Sequence, residues 1–186
     1  MINTPELQAL RDVCARLDGA HIAYMLTGSV AMSYYATPRM TRDIDLVLAL
    51  EATPVSRLVE ALGPDYHVDA DALRAALKNE RPWNIFHFDS IVKIDFIPRK
   101  NTVYRLAEFA RRHRASIAGI PLWIVSIEDL ILSKLEWSKQ SRSEQQRRDI
   151  ATLLGEPHDA AYLREWAESL GLQAALGEIQ THSSDE

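Results

Sequence analysis

Three aspartates interrupt segments that are otherwise apolar and strand-like. Asp43 and Asp45 lie in the segment 42–46 (RDIDL), and Asp95 lies in the segment 93–97 (KIDFI). Side chains alternate along a strand, so the first two aspartates are expected to point to the same face. Because an unpaired buried charge is costly, carboxylates in such segments need a partner. A third acid on a neighbouring strand would complete an oxygen cage for a hard divalent cation.

The mutual repulsion of such acids favours a metal as that partner. Two carboxylates about 4 Å apart repel by about 4 kcal/mol at an effective dielectric constant near 20. Mg²⁺ relieves this repulsion and prefers carboxylates together with substrate phosphates as ligands. Two such ions, roughly 3.5–4 Å apart, can stabilise the attacking and leaving oxygens of an in-line displacement. We therefore predict a site for two Mg²⁺ or Mn²⁺ ions at Asp43, Asp45 and Asp95.

A Gly-Ser pair upstream of these acids suits a phosphate. Gly28 and Ser29 end the apolar run 22–27 and begin a predicted helix. The N–H groups and the dipole at a helix start favour anions. Metal ligands and a phosphate-binding turn together indicate chemistry on a nucleoside triphosphate.

Simpler interpretations of the same residues remain open. Most Asp-x-Asp pairs are surface acids or ion-pair partners, and Arg42 or Lys93 could pair with these aspartates. Arg39 and Arg42 flank the acid pair. They could either neutralise a triphosphate or pair with Asp43.

The hydrophobic pattern predicts the elements that position these residues. Predicted strands lie at 22–27, 44–50, 83–88, 91–97, 115–118 and 122–125, with a two-residue turn at 89–90. Predicted helices lie at 5–17, 30–36, 54–62, 69–77, 103–113, from 126 onward, and at 144–154, 159–170 and 172–180. We therefore expect an α/β (α+β) fold, in which a small mixed sheet is flanked by helices and followed by an all-helical C-terminal part.

This pattern also predicts the organisation of the chain. Residues 1–125 form the α/β core, residues 126–180 form a helical part docked on it, and residues 181–186 form a frayed tail. The length of 186 residues suits one well-buried domain with a small helical addition.

Composition narrows the function classes. The net charge of −5 argues against a generally basic nucleic-acid coat. The basic stretches 99–114 and 139–148 could still follow a nucleic-acid backbone, or simply be solvated helix faces. The single cysteine, Cys14, is expected in the core. We see no signal peptide and no membrane span, so we expect no membrane partner and a cytoplasmic location.

The acid and glycine motifs resemble a known superfamily. Gly28-Ser29, thirteen intervening residues, Asp43-Ile44-Asp45 and the later 94–96 (IDF) resemble the signature of the nucleotidyltransferase superfamily related to DNA polymerase β. The text at 26–31 (LTGSVA) and 38–46 (PRMTRDIDL) is similar to its bacterial branch of abortive-infection and toxin–antitoxin nucleotidyltransferases. That branch's helical motif is similar to the text between 126 and 150.

The resemblance implies roles for the motif residues. Gly28 and Ser29 would hold the β- and γ-phosphates through backbone N–H groups. Asp43 and Asp45 would bridge both metals. Asp95 would bind the catalytic metal and help to deprotonate the acceptor hydroxyl, which would attack the α-phosphate and release pyrophosphate.

Four further residues would support the nucleotide. By the same resemblance, Lys134 would reach the triphosphate, and Asp149 would orient Lys134 or a nearby arginine. Arg39 and Arg42 are candidate nucleotide-binding residues.

The predicted function is a Mg²⁺-dependent nucleotidyltransferase that moves NMP from an NTP to an acceptor hydroxyl. The acceptor is an RNA, a protein or a small molecule, and the setting is a toxin–antitoxin or phage-defence system with a cognate toxin or antitoxin as partner. The alternative is a non-catalytic binding partner, antitoxin-like or nucleotide-sensing, whose nucleotide site is vestigial.

Overall fold

One mixed sheet carries the three aspartates. The computed structural model describes residues 4–36, 43–50, 54–89, 91–141 and 143–182. Within them the strands are β1 (Tyr24–Thr27), β2 (Asp43–Leu48), β3 (Tyr66–His67), β4 (Trp83–His87), β5 (Lys93–Pro98), β6 (His113–Ile117) and β7 (Ile120–Ile124). Their order across the sheet is β3-β4-β5-β2-β1-β7-β6.

Helices flank the sheet and then continue without strands to the end of the described chain. They are α1 (Pro5–Gly19), α2 (Gly28–Tyr35), α3 (Val55–Leu62), α4 (Ala70–Lys78), α5 (Val103–Ala110), α6 (Ile127–Ser141), α7 (Glu144–Leu154), α8 (Ala160–Ser169) and α9 (Gln173–His182). Among the helices of the described residues, none is long and apolar enough to span a bilayer.

The strand pairing makes the sheet mixed, as predicted. β2 pairs antiparallel with β1 and parallel with β5. β1 also pairs parallel with β7, and the hairpins β4–β5 and β6–β7 are antiparallel. The predicted fold class, a mixed sheet flanked by helices with an all-helical C-terminal part, is confirmed.

The alternation of apolar and polar residues determines which face of β2 and β5 enters the core. Ile44 and Leu46 of β2 are buried, as are Ile94 and Phe96 of β5. Since side chains alternate along a strand, the aspartates between them point to the opposite face. The apolar residues thus anchor both strands in the core, and the acids lie on the opposite face of the sheet.

The N-terminal helix follows its sequence signals. The hydroxyl of Thr4 accepts a hydrogen bond from the backbone N–H of Leu7 at 3.3 Å, and Pro5 occupies the first turn. Cys14 is fully buried on the apolar side of α1, as predicted.

A buried carboxylate ties the C-terminal helices to the core. The backbone N–H of Asp129 donates to Ser126 Oγ at 3.2 Å, so Ser126 caps α6, the helix predicted from residue 126 onward. The Asp129 carboxylate also accepts from Tyr162 Oη of α8 at 3.0 Å and from Arg111 Nε, just after α5, at 3.3 Å. The boundary between core and helical part near residue 125 remains a prediction.

The structure corrects three details of the expected elements. α5 ends at Ala110 instead of continuing to His113, because His113 begins β6 and pairs with Ile124. The connection between β4 and β5 spans residues 88–92 rather than a two-residue turn, and Ser90 lies outside the described residues. β3 was not predicted, since two residues are too short to show an alternating pattern.

Most of the basic stretch 99–114 is engaged within the molecule. Arg105 pairs with the buried Glu108 at 2.8 Å, and Arg111 pairs with Glu128 at 2.8 Å. The guanidinium groups of Arg112 and Arg114 lie over the ring of Trp123, and Arg114 also contacts Asp18 at 3.1 Å. The arrangement is typical of structural arginines and does not favour a nucleic-acid surface.

Candidate nucleotide and metal site

The parallel pairing of β2 and β5 places the acids beside one another. Asp45 lies directly opposite Asp95, and Asp43 lies opposite Lys93. In a parallel pair, opposed residues share a face of the sheet. The three aspartates therefore share one face of two neighbouring strands, although residues 43 and 95 are 52 positions apart in the sequence.

The local electrostatics disfavour the ionised form of Asp45. Burial raises the pKa of Asp45 to about 6, and repulsion from Asp95 and Asp43 adds to this rise. The positive charges of Lys93 and Lys134 oppose it. Ionised Asp45 therefore lies in an environment that a further cation would stabilise.

Lys93 already supplies one positive charge. Its Nζ donates to Asp95 Oδ2 at 2.7 Å, with the Lys93 side chain 34% exposed and the Asp95 side chain 19% exposed. Pairing of Lys93 with an acid was one of the simpler interpretations of the sequence, and it is what the structure contains. Because both side chains are in contact with solvent, the pair can rearrange when a ligand approaches.

The carboxylates of Asp43, Asp45 and Asp95 are suitable ligands for a hard cation but do not form a complete coordination shell. In the parts of the chain that the structure describes, no group of three or more His, Cys, Asp or Glu side chains is arranged to hold a metal ion by itself. Carboxylate oxygens are nevertheless the ligands that Mg²⁺ prefers, and Mg²⁺ completes its shell with water and substrate phosphate. The geometry thus fits a metal that binds together with a substrate better than a permanent structural ion.

The turn between β1 and α2 brings the predicted phosphate-binding residues against Asp45. Thr27, the last residue of β1, pairs with Asp45, so the chain begins α2 at Gly28 directly beside that carboxylate. Gly28 has φ of 68°, and a Cβ there would lie 2.0 Å from Asp45 Oδ2. The close approach therefore requires glycine, and the N-terminal turn of α2 faces the acids.

A cavity of about 200 Å³ opens at this point. Gly28, Ser29 and Asp45 line it from the core side, and Lys134 and Trp137 of α6 line it from the helical side. The rest of the wall is partly apolar and partly polar, formed by Val47, Ile97, Leu130, Thr27, Arg105, Ser133 and Gln146. The cavity thus joins the acid face, the Gly28–Ser29 turn and the first C-terminal helix.

Comparison with known proteins identifies the fold. No family model matches the chain, and no curated protein matches it. Among solved structures, the chain is similar to ANT(2″)-Ia in complex with adenylyl-2″-tobramycin. The TM-score is 0.54 at 19% identity, with coverage of 94% of this chain and 98% of that one. This chain has the nucleotidyltransferase fold.

Two further structures share that fold. One is the lincosamide antibiotic adenylyltransferase LnuA, lincomycin-bound, with a TM-score of 0.51 at 16% identity over 82% of this chain and 96% of that one. The other is an antigenic nucleotidyltransferase-like protein from Paracoccidioides brasiliensis, with a TM-score of 0.52 at 18% identity over 94% of this chain and 91% of that one.

Lys134 and Asp149 form a buried pair in this nucleotidyltransferase fold. Lys134 Nζ of α6 donates to Asp149 Oδ2 of α7 at 2.7 Å and to Gln146 Oε1 at 3.2 Å. Gln145 Nε2 donates to the other oxygen of Asp149 at 2.9 Å. The pair fixes Lys134 at the cavity wall, and its role in binding a nucleotide remains a prediction.

Breaking the Lys134–Asp149 pair should test its contribution to the stability of the fold. Lys134→Met removes an ammonium that pairs with the buried Asp149 carboxylate, so we expect a loss of about 3–5 kcal/mol in the free energy of unfolding. The double variant Lys134→Met/Asp149→Leu should recover most of that loss in urea unfolding. If Lys134→Met unfolds like the unmodified protein, the pair contributes no structural stabilisation.

Two predicted site residues lie outside the described part of the chain, and two residues that line the cavity were not predicted. Arg39 and Arg42 lie outside the described residues. Sequence reasoning did not assign Arg105 or Trp137 to the site, although both line the cavity. The spacing of three between Lys134 and Trp137 on one helix was the available signal for the tryptophan.

Proposed function

We propose that the protein transfers a nucleoside monophosphate from an NTP to an acceptor hydroxyl, with divalent metal ions and release of pyrophosphate. The observation that supports this most strongly is the placement of Asp45. It lies opposite Asp95 on the neighbouring strand and in contact with the turn that begins α2. An acid face and a phosphate-binding turn meet at one point of a nucleotidyltransferase fold.

In this proposal, the chain's own residues position the triphosphate. The N–H groups of the first turn of α2, at Gly28 and Ser29, bind phosphate oxygens, and Lys134 adds a positive charge from the opposite wall. Asp43, Asp45 and Asp95 are the metal ligands. When bound, the metal ions neutralise charge on the phosphates.

The acid on β5 has a second role in the proposal. Asp95 accepts the proton of the acceptor hydroxyl, whose oxygen then bonds to the α-phosphorus while the bond to the pyrophosphate oxygen breaks. For this step, Lys93 must release Asp95 Oδ2, to which it donates in the structure. The ammonium of Lys93 is then available to an oxygen of the nucleotide phosphates.

Several acceptor classes remain candidates. ANT(2″)-Ia has been captured with an adenylylated tobramycin, and LnuA is bound to lincomycin. A small molecule with an accessible hydroxyl is therefore the first acceptor to test. An RNA end or a partner protein, in a toxin–antitoxin or phage-defence setting, comes second.

The deciding experiment is a transfer assay with α-labelled ATP, GTP, CTP and UTP, Mg²⁺ and each acceptor class. We expect label on one acceptor together with an equal amount of pyrophosphate, and neither with Asp95→Asn. Absence of transfer to RNA, protein, aminoglycosides and lincosamides would count against this activity.

A second candidate function is a nucleotide-binding partner protein without turnover. The observation in its favour is the Lys93–Asp95 ion pair, which occupies the carboxylate that the chemistry needs. This candidate predicts that nucleotide binds but pyrophosphate does not appear, and that a complex with a cognate toxin or antitoxin survives Asp95→Asn.

The Lys93–Asp95 ion pair should lower the affinity of the site for a divalent metal. The ammonium of Lys93 competes with a metal for Asp95, so Lys93→Met should tighten Mn²⁺ binding in the absence of nucleotide. Because the pair is partly exposed, we expect the dissociation constant for Mn²⁺ to fall about 5- to 30-fold. Electron paramagnetic resonance of free Mn²⁺ measures it. The control is Lys100→Met, which removes an exposed lysine after the same strand. Unchanged or weaker Mn²⁺ binding by Lys93→Met would show that the two cations do not compete.

A further inference from the structure

One of the four tryptophans is placed differently from the rest. The rings of Trp83 and Trp166 pack on Phe96 and Tyr104, at 5.6 and 5.0 Å between centroids. Trp123 lies beneath two arginines. Trp137 differs in exposure, with 62% of its surface open to solvent, and it lines the cavity beside Asp45.

The helix places this indole next to the candidate phosphate contacts. Lys134 and Trp137 are three residues apart on α6, so their side chains are neighbours on one side of the helix. Both line the same cavity as Gly28 and Ser29. A ligand whose phosphates contact the start of α2 therefore has room in the same cavity to reach Lys134 and the indole.

The chemistry of the wall selects the kind of ligand. Arg105 and Lys134 are the cations among the described residues that line the cavity, and Asp45 is the only acid. Arg105 also pairs with Glu108 and Lys134 with Asp149, which fixes both cations at the wall. Val47, Ile97 and Leu130 add apolar surface to it. An anion that carries a flat aromatic group matches both the cations and the exposed indole.

We propose that Trp137 is the stacking platform for the nucleobase of the NTP, and thus a specificity-determining residue of the site. The inference rests on the proposed function, because it takes the phosphates to lie at Gly28 and Ser29. Stacking on an indole accepts every base and favours the larger ring system. The site should therefore bind purine nucleotides more tightly than pyrimidine nucleotides, with modest discrimination within each class.

The test separates the base from the phosphates. Calorimetry would measure binding of the Mg²⁺ complexes of α,β-methylene ATP, α,β-methylene UTP and inorganic tripolyphosphate. The variants are Trp137→Ala and Trp137→Phe, with Phe88→Ala as the control. Phe88 is a similarly exposed aromatic residue, at 58%, and is not among the residues that line the cavity.

We expect Trp137→Ala to weaken binding of the ATP analogue about 5- to 100-fold, the range for loss of one base–aromatic stack. Trp137→Phe should retain most of the affinity, and tripolyphosphate should bind all four proteins equally. The Trp137→Ala substitution should weaken binding of the UTP analogue less than binding of the ATP analogue.

The possible failures can be told apart. If the unmodified protein binds the analogues and Trp137→Ala binds them equally well, the inference is wrong while the proposed function stands. Loss of acceptor affinity with unchanged nucleotide affinity would place the acceptor at Trp137 and also overturn it. If neither tripolyphosphate nor the analogues bind the unmodified protein, the proposed function itself fails.

Discussion

Replacement of Asp45 with asparagine is expected to abolish nucleotidyl transfer while leaving the folded protein more stable. The amide keeps the shape of the side chain but removes the charge that the proposed metal ions need. We expect transfer to fall by about 10³-fold or more, the scale for loss of a major electrostatic contact in a transition state. The assay with labelled NTP measures this directly.

The gain in stability follows from the pKa of Asp45. Its folded value of about 6 lies above the usual 3.8 because of burial and repulsion from Asp95 and Asp43. Above about pH 6 the carboxylate is charged in both folded and unfolded states, so the folded state carries the whole penalty. Below about pH 4 it is protonated in both and the penalty vanishes.

Asp45→Asn should therefore raise the free energy of unfolding by about 1–3 kcal/mol at pH 7.5 and by little at pH 4. Urea unfolding at both pH values, without added metal, checks the sign. The control is Asp71→Asn, on a carboxylate whose side chain is 93% exposed. Full transfer activity in Asp45→Asn, or lower stability at pH 7.5, would contradict this interpretation.

Gly28→Ala is expected to damage both the fold and the site. A Cβ at this position would lie 2.0 Å from Asp45 Oδ2, and the backbone φ of 68° disfavours any side chain. The φ penalty alone is about 1–2 kcal/mol. The clash must also displace the Asp45 carboxylate or the start of α2, and an active site tolerates little such displacement.

We expect Gly28→Ala to lose about 2–4 kcal/mol of stability and about 10²-fold in transfer rate. Gly171→Ala provides a close control, because Gly171 has φ of 64° and no neighbouring atom within 4 Å of the added Cβ. It should show the φ penalty alone and full activity. Equal effects of the two substitutions in unfolding and transfer assays would mean that the contact with Asp45 is unimportant.

Much of the fold follows from local sequence patterns. The alternation of Asp43, Ile44, Asp45 and Leu46 predicted both the strand and its buried face, and the helical pattern from residue 126 onward predicted α6. These features depend on residues close in sequence, so they can be inferred without knowing the tertiary structure.

What could not be inferred depends on contacts between distant segments. β6 begins at His113 because it pairs with β7, and that pairing overrides the helical pattern that precedes it. The parallel register that sets Asp45 opposite Asp95 is a property of the whole sheet. The sequence was compatible with this register but did not specify how far apart Asp45 and Asp95 lie.

The candidate site shows the same division. The aspartates, Gly28 and Ser29 could be named from motif spacing. The contact between Gly28 and Asp45 could not, since it arises from the pairing of Thr27 with Asp45 across β1 and β2. Likewise, Trp137 belongs to the candidate site because the folded chain brings α6 against the start of α2.

The central claim is that Asp43, Asp45 and Asp95 bind divalent metal together with a nucleoside triphosphate. The most direct test is Mn²⁺ binding, followed by electron paramagnetic resonance, with and without a non-hydrolysable ATP analogue. We predict that the analogue strengthens Mn²⁺ binding to a limit of two ions per chain, and that Asp45→Asn loses this binding while remaining folded. Equal Mn²⁺ binding by the unmodified protein and by Asp45→Asn, or no effect of the analogue, would contradict the claim.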